Sequence, residues 1–270
     1  MRDGMTCYLI KYGGNSIPEG EALTKICKEI ANLKGKGNDV VIVHGGGSEI
    51  SKEVERMGIT PTFIDGIRVT DDQSLVAVEH ALRNVNLRFE GNLQRAGAKP
   101  IPLPLHEISV CERMKPLVKV QDGKETILDC GHVGEVAIVD RESIDAAIRE
   151  GIPLIYPCGK DAEGNLLNVN ADSAALGVAI GMGCDELIFV SDVPGVLKDI
   201  KDPASKFDRL TIKDVDALIE SGVVNGGMIP KVKACCNALL AGVNAVRLIP
   251  SGSDVSEVGP GSKLGTLFVR

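Results

Sequence analysis

Short aliphatic runs alternate with amphipathic stretches along almost the whole chain. Cys7–Ile10, Val40–Val43, Leu154–Tyr156, Leu187–Val190 and Ala245–Ile249 are too short for helices and too apolar for surface loops. They read as strands buried on both faces. The stretches between them carry a helical period. Glu21–Leu33 places Leu23, Ile26, Cys27, Ile30 and Leu33 on one stripe, and Asp72–Gln94 does the same with Leu75, Val78, Leu82, Val85, Phe89 and Leu93. Ser48–Met57 (with Ile50, Val54 and Met57 on one face), Asn170–Met182, Ile212–Ser221 and Met228–Ala241 are further predicted helices. This alternation predicts right-handed crossovers and an α/β fold, a mainly parallel central sheet with helices on both faces. Two segments break the pattern. Leu117–Val136 alternates around Asp122-Gly123 and predicts a β-hairpin at the edge of the first half, while polar Lys198–Arg209, with Pro203, predicts a surface loop. The step Gly181-Met-Gly-Cys184 is the expected boundary between two lobes.

Four turns fall where strands end or helices begin. Lys11-Tyr-Gly-Gly-Asn-Ser16 follows the first strand, and Asp39-Val-Val-Ile-Val-His-Gly-Gly-Gly47 carries the second strand into three glycines and a helix. Asn168-Val-Asn-Ala-Asp172 opens a helix of small residues, and Gly226-Gly-Met-Ile-Pro-Lys231 opens the last long one. A strand, a glycine turn and a helix start gather bare N–H groups and a positive dipole end around one point, where an anion can approach. Close packing of an ordinary α/β unit produces the same turn, and Lys11, Asp172 and Lys231 each have an ordinary surface reading. Their joint placement is what phosphoryl transfer requires, since ligands bind at the carboxyl ends of parallel strands and that reaction needs mainly positioning and positive charge. The carboxylate of Asp172 could hold lysines in place or contact Mg²⁺.

Composition narrows the classes. The 270 residues are 44% hydrophobic with no Trp, so the core is aliphatic and large enough for one big domain or two lobes. A formal net charge of -7 disfavours nucleic acid as a partner. The eight cysteines contain no C-x-x-C pair, and the four His residues form no H-E-x-x-H, so buried reduced thiols are expected and a zinc or other protein metal site is not. No apolar run approaches a membrane span, and the few residues before the first strand do not read as a leader, so a cytoplasmic protein is expected. The P-loop, the dinucleotide G-x-G-x-x-G and the protein-kinase motifs are missing from the sequence.

In order, the chain carries Lys11-Tyr-Gly-Gly14, Val43-His-Gly-Gly-Gly47, Gly66-Ile-Arg-Val-Thr70, Gly131-His-Val-Gly-Glu135, Asn168-Val-Asn-Ala-Asp172, Ser191-Asp-Val-Pro-Gly-Val196 and Gly227-Met-Ile-Pro-Lys231. This series resembles the amino acid kinase family, and within it the acetylglutamate kinases. The resemblance implies a three-layer αβα sandwich and transfer of the ATP γ-phosphate, with Mg²⁺, to the side-chain carboxylate of N-acetyl-L-glutamate. It implies that Lys11 contacts the γ-phosphate and Lys231 the nucleotide phosphates, with Asp172 orienting both. Gly13, Gly14, Gly45 and Gly46 would supply backbone donors, Arg68 would clamp the substrate α-carboxylate, and Asn168 would take the acylamino group. Ser191, Asp192, Gly195 and Met228 would line the nucleotide pocket. Residues 1–182 would form the lobe for substrate and dimerisation and 183–270 the ATP lobe, with the boundary within 160–185. No arginine-responsive N-terminal helix is expected, and the long Asp72–Gln94 helix is the expected surface of a homodimer. Leu103–Val110 stands where the family carries a glycine–serine turn. The alternatives are a sister kinase acting on another carboxylate, such as a carrier-linked aminoadipate or glutamate, and a non-catalytic nucleotide or amino-acid sensor.

Overall fold

The computed structural model describes residues 5–13, 17–121 and 124–270. Among these, eight strands form the main sheet: β1 (Cys7–Tyr12), β2 (Asp39–His44), β3 (Pro100–Pro102), β4 (Ile152–Ile155), β5 (Glu186–Ser191), β6 (Arg209–Thr211), β7 (Ala245–Pro250) and β8 (Thr266–Val269). Their order is β6-β8-β7-β5-β1-β2-β4-β3. All neighbours pair in parallel except β7 and β8. The helices are α1 (Glu21–Gly35), α2 (Gly47–Arg56), α3 (Asp72–Arg95), the single turn α4 (Leu105–Ile108), α5 (Arg141–Glu150), α6 (Ala171–Met182), α7 (Ile212–Glu220) and α8 (Met228–Leu240).

The predicted α/β sandwich is present, and the alternation along β1 shows how its layers form. Tyr8, Ile10 and Tyr12 enter the core shared with α1 and α3, while Leu9 enters the core shared with α5, α6 and α8. Successive strand side chains point to opposite faces. Lys11 has the parity of Leu9 and therefore emerges on the α6 and α8 side. The strand runs past Ile10 and takes Lys11 and Tyr12 into its ladder with β2 and β5.

The Gly181–Cys184 step closes α6, with Gly183 in the left-handed conformation. The β5 strand follows at once and pairs with β1, so the chain before and after this step shares one sheet. The predicted hairpin consists of Leu117–Gln121 and Lys124–Leu128, and the Asp122-Gly123 turn itself lies outside the described residues. Val133–Val139 belongs instead to a second sheet, in the order Cys158–Lys160, Leu166–Val169, Val133–Val139, Ser109–Arg113. Lys198–Arg209 holds a 3₁₀ turn at Pro203–Ser205 and leads into β6. Leu103–Val110 contains α4, and Leu103, Leu105 and Ile108 are buried in the core.

Helix α6 lies directly on the second sheet through two glycines. A Cβ at Gly177 would stand 2.6 Å from the Val136 Cβ, and one at Gly181 would stand 2.4 Å from the Val139 Cβ. The helix start that carries Asp172 is thus set by backbone contact. Gly177→Ala is expected to cost about 1–3 kcal/mol by overpacking. Gly35→Ala, which meets nothing within 4 Å at the end of α1, should leave stability unchanged or slightly raised. Urea midpoints of the two variants check this, and equal midpoints would remove the close-approach explanation.

Candidate active site

Strands β1, β2 and β5 end side by side, and the residues singled out in the sequence converge on their carboxyl ends. Lys11 is 8% exposed and pairs through Nζ with Asp172 Oδ1 at 2.6 Å. A lysine this buried needs such a partner. Asp172 is held by the start of α6, where the Asn170 side chain caps the helix by accepting from Asp172 N at 2.8 Å and Ser173 N at 3.4 Å. Lys231, in the first turn of α8, has different partners. Its Nζ donates to Ser191 Oγ at 3.1 Å and to the Asp192 carboxylate. That ammonium, with the Ser191 hydroxyl, pulls the Asp192 carboxyl below its ordinary range. In this structure Asp172 pairs with Lys11, and Lys231 pairs with Asp192. The end of β5 brings Asp192 to Lys231, and each lysine has its own carboxylate.

The glycine turn is also more specific than the sequence implies. Gly45 does not offer its N–H, which donates to the Tyr12 carbonyl at 2.9 Å and extends the β1–β2 ladder by one rung. Gly46 packs tightly, since a Cβ there would meet Leu82 Cδ2 at 3.1 Å, whereas one at Gly47 would meet nothing within 4 Å. None of the three has a positive φ. The turn needs glycine at Gly46 for close packing, and at Gly47 the absent Cβ leaves the approach open. A trans peptide is planar, with its C=O and N–H pointing oppositely. Pinning the Tyr12 carbonyl on Gly45 therefore aims the Gly13 N–H the other way. His44, just before the turn, is fully buried and lies flat on Phe89, and burial pushes its pKa down.

Arg68 enters on a hairpin of Phe63–Ile64 and Ile67–Arg68. Its two turn residues, Asp65 and Gly66, have φ of 50° and 82°, the pattern of a type I′ turn, which Asp-Gly suits. The pairing sets Phe63 opposite Arg68, and the guanidinium lies over the ring at 4.7 Å. Arg68 Nη2 donates to Gly47 O at 3.0 Å and Ser51 Oγ at 2.8 Å. Its Nη1 is buried with no hydrogen-bond partner, and burial lowers the pKa of the group. A buried donor left unmet is costly, and it points to an acceptor supplied from outside. Asn168 is oriented by its Nδ2, which donates to Thr70 Oγ1 at 3.0 Å.

Two cavities meet here. The larger, about 670 Å³, is lined by Lys11, Gly13, Asp172, Ser191, Asp192 and Lys231. The smaller, about 260 Å³, is lined by Gly45, Gly46, Arg68 and Asn168. Lys11, Gly47, Phe63, Arg68 and Asp172 border both. Two of the expected nucleotide residues line neither. Gly195, at φ 113°, backs onto Thr266, where a Cβ would meet Oγ1 at 2.8 Å, and Met228 packs against the core. Gly14 lies outside the described residues.

The model of the amino acid kinase family matches residues 6–249. The chain belongs to the amino acid kinase family. It is 39% identical over 268 residues to an acetylglutamate kinase of Methanococcus maripaludis, a match covering 97% of this chain and 91% of that protein. Among solved structures it resembles smu.665 of Streptococcus mutans, at 28% identity and a TM-score of 0.72, over 97% of this chain and 98% of that one. A Giardia lamblia carbamate kinase bound to AMP-PNP shares the fold at 15% identity and a TM-score of 0.68, covering 98% and 99% of the two chains.

Three residues of this amino acid kinase site escape the sequence reading: Phe63, Ser51 and Asn170. Asn170 carries a visible signal, an Asn directly before a helical run. Asp65-Gly66 is equally visible as a hairpin turn. Ser51 has none, because its role depends on where the hairpin docks. Among the described residues, no helix is long and apolar enough to cross a membrane.

Proposed function

We propose that the chain transfers the γ-phosphoryl group of ATP to the side-chain carboxylate of N-acetyl-L-glutamate, giving N-acetylglutamyl 5-phosphate and ADP, the second step of arginine biosynthesis. The observation that carries this reading is Lys11, buried and shared by a larger cavity with a second lysine and a smaller one with an unsatisfied guanidinium. The named relatives at 39% identity support N-acetylglutamate as the acceptor. The AMP-PNP in the carbamate kinase of the same fold supports ATP as the donor.

In this reading the acceptor lies in the smaller cavity, its α-carboxylate on Arg68 and its acylamino group on Asn168. One oxygen of its side-chain carboxylate attacks the γ-phosphorus in line. The bond from that phosphorus to the bridging oxygen breaks, and ADP leaves with the electron pair. The attacking carboxylate is ionised at neutral pH, so no general base is needed. Lys11 neutralises charge on the transferring oxygens, Gly13 and Gly46 donate N–H groups to them, and Lys231 holds the nucleotide phosphates. Asp172 and Asp192 keep the lysines in place. Mg²⁺ would be taken with ATP and would neutralise charge on its phosphates. Residues 1–182 form the acceptor and dimerisation lobe and residues 183–270 the nucleotide lobe. The protein is a cytoplasmic homodimer joined through α3, on which Val76 and Leu87 are exposed.

Purified protein given ATP, Mg²⁺ and N-acetyl-L-glutamate should release ADP, and hydroxylamine should trap the acyl phosphate. Turnover with glutamate or aminoadipate, and none with N-acetylglutamate, would sink this acceptor. A monomer mass by light scattering would sink the dimer.

A further inference from the structure

One face of α1 carries a charge that its surroundings leave unmet. Ala22, Lys25, Ile26 and Glu29 follow one another at helical spacing, at the margin of the apolar stripe that packs into the core. They face the loop after β7, where Ser251 and Gly252 lead to a 3₁₀ turn at Val255–Glu257. With Pro18 they enclose a cavity of about 320 Å³, which shares no lining residue with the two cavities of the candidate active site.

Glu29 lies at the buried side of this cavity. It is 5% exposed, and both its carboxylate oxygens are buried with no hydrogen-bond partner. The Lys25 ammonium comes only to 3.7 Å from Oε1, on a side chain that is 70% exposed. Lys36 also reaches the loop, but it donates to the Ser256 carbonyl. On the core side the Tyr12 hydroxyl is buried and equally unmet. Burial, with the Asp254 charge, pushes the Glu29 carboxyl up against weaker help from Lys25 and the Val255 backbone.

A carboxylate this deep needs charge-assisted donors, and Lys25 stands too far off to supply one. A primary ammonium brings a full charge and three N–H donors. The other walls include Pro18, Ala22, Ile26 and the Lys25 stem, hydrocarbon that suits a short alkyl tail. A bare metal ion would leave coordination positions facing those walls. The volume is at the lower end for small-molecule sites, so the ligand is small.

We propose that this cavity is an effector site for a small alkylammonium ion, held by Glu29 and coupled to the nucleotide site. The route between them is short. Pro18 follows soon after Gly13 in the sequence, and the Ser251 N–H donates to the Ser191 carbonyl at 2.6 Å. Ser191 in turn accepts from Lys231 through its hydroxyl. A ligand seated against Pro18 and Ser251 steadies the ends of β1 and β5 together, which removes part of the ordering cost of binding ATP.

The coupling rests on the reading of the larger cavity as the nucleotide site, but the binding does not. The probe is n-butylammonium, followed through the Ala22 and Gly252 amide shifts in ¹H–¹⁵N NMR, with n-butanol, butyrate and KCl as comparators. The wild type should saturate with n-butylammonium and with none of the comparators. Glu29→Gln, of nearly the same shape, should raise Kd at least about tenfold. Lys25→Met keeps the stem, removes the competing charge and should lower Kd. Ala22→Trp, at an exposed helix position, should block the cavity with Glu29 intact. Saturating n-butylammonium should tighten ATP binding by about fivefold in the wild type and leave it unchanged in Glu29→Gln. No binding of n-butylammonium, equal binding of n-butanol, a preference for butyrate, or an unchanged Kd in Glu29→Gln overturns the site. An ATP affinity that does not move with the probe bound overturns the effector role. If ATP does not bind at all, the nucleotide reading fails, and the amide shifts still decide the site.

Discussion

Lys231→Ala is expected to lower kcat by about 10²–10³ with the fold intact, the cost of removing one preorganised charge from a transition state. The expectation follows from position. Lys231 reaches the larger cavity from α8 and is anchored, among the described residues, by Ser191 and the largely exposed Asp192, so its loss leaves no unpaired carboxylate buried in the core. Asp192 carries a largely exposed carboxylate and can return to water. Thermal midpoints should therefore match while ADP release collapses. A loss below about tenfold would remove Lys231 from the reaction, since a bystander lysine contributes no more than a surface ion pair.

Arg68→Lys is expected to raise KM for the acceptor by about 10–100-fold with a smaller effect on kcat, because charge-assisted hydrogen bonds are each worth about 1.5–3 kcal/mol. One face of the guanidinium is committed to Gly47 and Ser51, and Nη1 is free for a ligand. An ammonium cannot serve both at fixed geometry, nor lie flat on Phe63 in the same way. Initial-rate kinetics with the acceptor varied at saturating ATP checks this. An unchanged KM would take Arg68 out of the acceptor site.

These expectations draw on both what the sequence discloses and what it conceals. The buried strands and the long helices are legible because their hydrophobic periods are clean. Lys11 is legible because it directly precedes a glycine turn, and Asp172 and Lys231 because they follow turns whose residues have backbone reasons to be there. Helix α5 escapes the strand-and-helix alternation, although Ile144, Ala147 and Ile148 carry the helical spacing and are buried. The second sheet is harder, since its strands are short and pair out of chain order. The assignment of carboxylates to lysines is not in the sequence at all. It depends on the end of β5 meeting the start of α8, a long-range contact with no local period. The same holds for Gly45, whose N–H is taken by a ladder rung that forms only when β1 lies alongside β2.

The placing of β1 between β2 and β5 bears on biosynthesis. Its amide at Cys7 is bonded to Asp185, 178 residues further along. A chain emerging from the ribosome can pair β1 with β2 early, but the other side of the strand that carries Lys11 stays open until β5 appears. Long-range parallel pairing of this kind is slow and leaves a strand edge exposed to aggregation in the meantime. Nascent chains stalled before Glu186 should accordingly be chaperone clients, and activity should arise late in synthesis as one event.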